Sequence, residues 1–151
     1  MSFKITAFSF VFVALGAFVA CHHNKHAADA SFNPATFPEQ VSHGGELYGQ
    51  HCAKCHGDSG EGTDKAPRVV DLKKGALPID PPADRKARKA RFVTVANVAD
   101  FVVKNMPPKK AGTLTTEQYL AILAFDLKAN GVDLGQDKLT LEKAANLTIP
   151  R

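Results

Sequence analysis

Cys52-Ala53-Lys54-Cys55-His56 places two thiols three positions apart with an imidazole beside the second, and no other stretch constrains the chain so tightly. On one helical turn, positions i and i+3 share a face, so both sulfurs can bond one flat partner while the adjacent ring reaches toward its centre. A structural zinc site is the first competing chemistry. It takes about four ligands, usually with a second Cys or His pair, and the chain after Cys21 offers none at suitable spacing. A redox dithiol is the second, and the strand-helix-strand context it expects is missing here. Three cysteines in 151 residues are also too few for a dense disulfide framework. Cys-x-x-Cys-His instead matches a known haem-attachment motif, which implies thioether bonds to the two vinyl groups of one haem, with His56 approaching the iron from the proximal side.

The sixth iron position has a candidate by elimination. Met1 lies in the N-terminal apolar block, which leaves Met106 as the other methionine. It stands in Asn105-Met106-Pro107-Pro108, directly after the apolar-periodic run Val95, Val98, Phe101 and Val102. The two prolines end that helix and stiffen the next segment, which would hold a thioether in a fixed place. His43 and His51 are the histidine rivals. Both lie on the segment leading into Cys52, so they share the proximal side and read as surface or packing residues.

Residues 1–20 read as a signal peptide: Lys4 supplies the positive start and Ile5 to Ala20 is almost uninterrupted apolar sequence. This is short for a membrane span of about 20 residues, an uncleaved anchor being the alternative. Phe18-Val19-Ala20-Cys21 resembles a bacterial lipobox, which implies a lipid on Cys21. Phe18 departs from the usual Leu, so a simple cleaved signal with a free Cys21 stays open. From Cys21 to Pro38 the chain is polar and aperiodic, and we read 21–38 as a flexible tether, with His22, His23 and His26 as linker residues. The expected location is the periplasmic side of a membrane, with lipid holding the protein there.

Charge is unevenly spread. Residues 65 to 110 hold 12 Lys or Arg against four Asp, a surplus of eight, whereas the whole chain carries +4. A basic region on a mildly acidic remainder fits an acidic protein partner better than a nucleic acid. The basic run from Arg85 to Arg91 has no interleaved aromatics on which bases could stack. A solvated basic loop is the alternative to a docking face.

With these residues in view, about 40 to 130 resembles a class I monohaem c-type cytochrome. Gly44-x-x-x-Tyr48-x-x-x-Cys52-x-x-Cys55-His56-Gly57 is similar to the family's N-terminal helix, in which a Gly and an aromatic pack against the C-terminal helix. The resemblance places Phe125 as the aromatic of that partner helix. It implies that Pro67, eleven positions after His56, offers its carbonyl to the other ring nitrogen of the haem histidine, a bond that fixes the ring and tunes the metal. Arg68 and Val69 depart from the family pattern there, and Arg68 is a candidate partner for a haem propionate. Tyr119 to Leu134 is similar to the cytochrome subunits of quinoprotein alcohol dehydrogenases.

The expectation is therefore an all-α cytochrome c fold of three to five short helices around one covalent haem c. The domain should span 39–131, followed by a 132–151 tail with one loose turn near Leu141 to Ala145. Thr94 should cap a helix from Val95 to Asn105, and Thr115 with Gln118 forms a capping box for the next. Residues 73–93 should be an irregular loop with one helical turn from Asp84 to Arg91. The role implied is single-electron transfer with no catalytic residues, between a dehydrogenase donor and an oxidase or another cytochrome. The alternatives are a fixed subunit of a dehydrogenase and a haem enzyme or sensor with a labile sixth ligand.

Overall fold

The computed structural model describes residues 33–83 and 88–151. Among them are five α-helices and no strand: α1 (Phe37–His51), α2 (Ala53–His56), α3 (Val95–Asn105), α4 (Thr116–Ala129) and α5 (Leu141–Asn146), with a 3₁₀ turn at Leu72–Lys74. Residues 1–32, which include the segment read as a signal peptide, Cys21 and most of the stretch read as a tether, lie outside the described residues. No helix among the described residues is long and apolar enough to cross a membrane.

The start of α1 is built locally. Thr36 accepts the Glu39 amide while the Glu39 carboxylate accepts from the Thr36 amide, and Pro38 occupies the first turn. This capping box satisfies donors that would otherwise be orphaned. Phe37, Gln40, Gly44, Leu47 and Tyr48 then fall on one buried face at helical spacing. The domain therefore begins at Phe37, two residues inside the stretch read as tether, and Lys138 Nζ holds Asn33 Oδ1 at 2.8 Å just ahead of it.

Helices α1 and α4 form the main packing pair. A Cβ on Gly44 would stand 1.9 Å from the Ala121 carbonyl oxygen, so only a residue without a side chain lets the two backbones approach this closely. Tyr48 and Phe125 close the same contact, with ring centroids 5.1 Å apart at 40°. Helix α4 is capped by Thr115 and Gln118, whose side chains each take the other's amide at 2.8 and 3.2 Å.

Residues 132–151 are not a loose tail. Leu139, Ala144 and Ile149 join Phe37, Val95, Val98, Leu123 and Leu127 in one core. The Gln40 amide clamps the Leu139 backbone from both sides, donating to its oxygen at 2.9 Å and accepting its N–H at 2.6 Å. Val95 N–H reaches Leu147 O and Ile149 N–H reaches Val93 O, while Arg151 donates to Leu77 O and Phe92 O. The expected turn near Leu141 to Ala145 is α5, but spacing alone does not tell that Leu139, Ala144 and Ile149 share a destination in the core.

The 73–93 stretch is irregular. Asp84–Ala87 lie outside the described residues, and 88–91 are not helical. Arg88, read as one charge of a solvated run, is instead 6% exposed. Its guanidinium lies 4.0 Å from the Phe92 ring centroid and donates to the carbonyls of Pro78, Ile79 and Asp80. A planar five-donor group can satisfy several carbonyls at once, which is how this loop stays closed.

Candidate haem-binding site

Helix α1 ends at Cys52, whose N–H still donates to Tyr48 O at 2.8 Å, and α2 restarts from the same residue. Cys55 and His56 both donate to Cys52 O, at 3.0 and 2.9 Å, so the two cysteines and the histidine share one tight turn. Both thiols are free and half-buried.

The loop after this turn folds back on it. Gly57 adopts φ +86°, and its carbonyl accepts from Tyr48 Oη at 2.9 Å. Gly62 N–H donates to His56 O at 2.7 Å, and the Val69 and Val70 amides both donate to Gly60 O. These bonds bring Pro67 back to the turn, and its carbonyl oxygen lies 2.7 Å from His56 Nδ1. A carbonyl can only accept, so Nδ1 carries the proton and Nε2 keeps its lone pair for a metal. Asn130 anchors the far end of the loop to α4, donating to Val69 O and accepting from Asp71 N–H, both at 2.9 Å. Asn130 was not singled out by sequence reasoning, although an Asn before Gly131 at a helix end is a C-cap signal.

Met106 is placed by other elements. It caps α3, donating its N–H to Val102 O at 2.8 Å, and its carbonyl accepts from Tyr119 Oη at 2.8 Å. Its side chain is half-buried. Arg68 stands next to Pro67 with Nη1 3.8 Å from Asp71 Oδ2, so its partner in the structure is that carboxylate. His43 packs on the buried face of α1, and His51 is half-buried at its end.

The donor set and its surroundings fit a covalent haem. Cys52, Val69, Leu114 and Phe125 form a partly buried apolar margin against the buried cluster of Leu47, Tyr48, Ala53, Ala121 and Ile122. Burial pushes the Cys52 thiol up to about 12, with the Asp126 and Cys55 charges adding to it. Reactive dithiols are instead tuned downward. Among the described residues, no group of three or more His, Cys, Asp or Glu is arranged to hold a metal ion, which leaves the zinc reading without a donor set.

One buried group escaped sequence reasoning. Asp126 Oδ1 has no hydrogen-bond partner in the protein, and burial pushes its carboxyl up to about 8. Burial, with Asp126 as the next cause, also raises the Tyr48 hydroxyl. The only available signal was an Asp one turn after Ile122 in the otherwise apolar stretch from Leu120 to Leu127.

An all-helical domain with a Cys-x-x-Cys-His turn and a carbonyl-oriented histidine is a c-type cytochrome, an electron-transfer protein with covalently bound haem c. The chain belongs to the family described as cytochrome c oxidase, cbb3-type, subunit III, which matches residues 39–125. Among solved structures, it is similar to a chain in the crystal structure of the sulfane dehydrogenase SoxCD from Paracoccus pantotrophus. The two share 29% identity with a TM-score of 0.54, over 73% of this chain and 53% of that one, so this chain spans about half of that length. Comparison with curated proteins gives no match.

Proposed function

We propose that Cys52 and Cys55 carry the haem as thioethers, that His56 Nε2 and the Met106 sulfur bind its iron, and that the protein shuttles single electrons between redox proteins. The observation that carries this reading is the single turn holding both cysteines and His56, with His56 Nδ1 2.7 Å from the Pro67 carbonyl. The haem supplies, when bound, a one-electron couple between ferrous and ferric iron. The residues of the chain set its properties. The thioethers hold it permanently, the Pro67 carbonyl fixes the imidazole, and a soft thioether ligand favours the ferrous state and raises the potential. With His56 and Met106 as its two iron ligands the haem would offer no open site to a substrate, so we read the protein as a carrier rather than as an enzyme.

The partner we infer is an acidic redox protein. Lys109 and Lys110 are exposed just after Met106, and neither is in an ion pair among the described residues. Arg88, Arg91 and Lys104 are engaged instead, Arg91 and Lys104 with Asp80 and Asp100. Lys65, Lys73 and Lys89 are exposed as well, and we place the docking charge at Lys109 and Lys110 because they follow Met106 directly in the chain. We place the protein on the periplasmic side of a membrane, tethered by lipid on Cys21. Intact mass decides the last point: an unmodified Cys21 in the mature chain would refute the anchor. The likeness to a dehydrogenase structure supports a second reading, a cytochrome subunit fixed to a dehydrogenase, for which co-purification with that partner is the distinguishing result.

The ferric protein should show the weak near-red charge-transfer band of iron bound to methionine sulfur, and Met106→Ala should abolish it. Carbon monoxide should not bind the reduced wild type at neutral pH. A band unchanged in the variant removes Met106 from the iron, and rapid carbon monoxide binding favours a haem enzyme or sensor.

A further inference from the structure

Residues 107–113 hold together mainly through their own turns. Lys110 N–H donates to Pro107 O at 2.9 Å, and Thr113 donates to Lys110 O through its amide and its hydroxyl. Residues 108–113 are exposed. Met106 itself is fixed on one side by its amide bond to Val102 at the end of α3. Among the described residues, the hydrogen bonds that tie this segment to α4 pass through one atom, Tyr119 Oη. It donates to Met106 O at 2.8 Å and accepts Gly112 N–H at 3.0 Å.

Tyr119 is well suited to such a task. It is 3% exposed, and it lies one turn into α4, just past the Thr115–Gln118 capping box. Its ring is therefore held by packing, and the hydroxyl has both its donor and its acceptor capacity used within the protein. The two partners lie at opposite ends of the turn, so one oxygen closes the loop across its mouth. Fixing the Met106 carbonyl fixes the backbone from which the thioether projects.

We propose that Tyr119 is a positioning residue for the sixth iron ligand: its hydroxyl clamps the Met106 carbonyl and the Gly112 amide onto α4 and so keeps the Met106 thioether from leaving the iron. This rests on the reading of Met106 as that ligand. Without the clamp, the loop retains its internal turns but loses its link to α4. The fraction of time the thioether is away from the iron then rises by about 10-fold, the scale of one to two buried hydrogen bonds.

The test uses the haem-loaded full chain and Tyr119→Phe, which keeps the ring and removes only the hydroxyl. Imidazole is the probe, because it binds ferric iron only when the native sixth ligand is displaced. Gln40→Ala is the matched comparison: it also deletes one donated and one accepted buried hydrogen bond to the backbone, at Leu139 and away from the Cys52–His56 turn. Tyr119→Phe should retain the near-red band at neutral pH and bind imidazole about 10-fold more tightly than wild type, while Gln40→Ala loses stability to urea without that gain. Wild-type imidazole affinity in Tyr119→Phe, with the band present in both, would overturn the clamp and leave Met106 ligation standing. Equal gains in both variants would make Tyr119 an ordinary structural tyrosine and overturn the proposal. A wild type without the band would instead remove Met106 from the iron, and the clamp with it.

Discussion

Asp126→Asn should stabilise the folded protein relative to wild type by an amount that grows with pH. The Asp126 carboxyl has a buried oxygen with no partner in the protein, and burial raises its pKa to about 8. An unfolded chain ionises an Asp near pH 3.9. Below about pH 4 both states hold the proton, and folding carries no penalty from this group. Between about pH 4 and 8 the unfolded chain is ionised while the folded chain stays neutral, so unfolding releases a proton. Folding stability then falls by about 1.4 kcal/mol per pH unit, and the loss stops above the folded pKa. From pH 5 to 7 this amounts to about 2.7 kcal/mol. Asn occupies the same volume without titrating, so the stability difference between variant and wild type should widen by that amount. The assay is urea unfolding of the haem-loaded proteins at pH 5, 6 and 7. The slope with pH is the test, because the uncharged amide can shift the baseline in either direction. A difference that stays constant with pH would mean that the folded carboxyl ionises normally, and would refute its isolation.

Gly44→Ala should destabilise the fold by about 2 kcal/mol or more, since a Cβ 1.9 Å from the Ala121 carbonyl forces α1 and α4 apart and outweighs the gain of about 1 kcal/mol in helix propensity. Urea unfolding checks it. Gln40→Ala should cost about 2–4 kcal/mol by the same assay, because it strips both hydrogen-bond partners from the buried Leu139 backbone. Reversing Lys109 and Lys110 to Glu should slow electron transfer to an acidic partner and flatten its salt dependence, whereas reversing Lys138 and Lys143 should do less; stopped-flow rates across ionic strength decide, exposed charges being screened over about 8 Å at physiological salt.

What was legible in the sequence was local. The Cys52–His56 turn and the Thr115–Gln118 box each depend on residues within about one helical turn, so spacing alone reveals them. Thr36 and Glu39 carry the same signal in Thr-Phe-Pro-Glu, and reading it would have started the domain at Phe37. What stayed hidden depends on distant partners. Gln40 and Leu139 are 99 positions apart, and nothing in the spacing of either tells that they meet. Arg88 belongs by composition to a charge run, yet its guanidinium finds Pro78, Ile79 and Asp80 carbonyls on a closed loop. Tyr119 falls on an apolar helix face and reads as core. Its ring is core, but its hydroxyl serves the loop that carries Met106.

The central claim, a single haem held covalently by Cys52 and Cys55, is tested most directly by the intact mass of the full chain expressed with a haem maturation system and then extracted with acidified acetone. The wild type should retain the mass of one haem after extraction, and the Cys52→Ala, Cys55→Ala double variant should lose it. A wild-type polypeptide that emerges colourless at its bare mass would contradict the account.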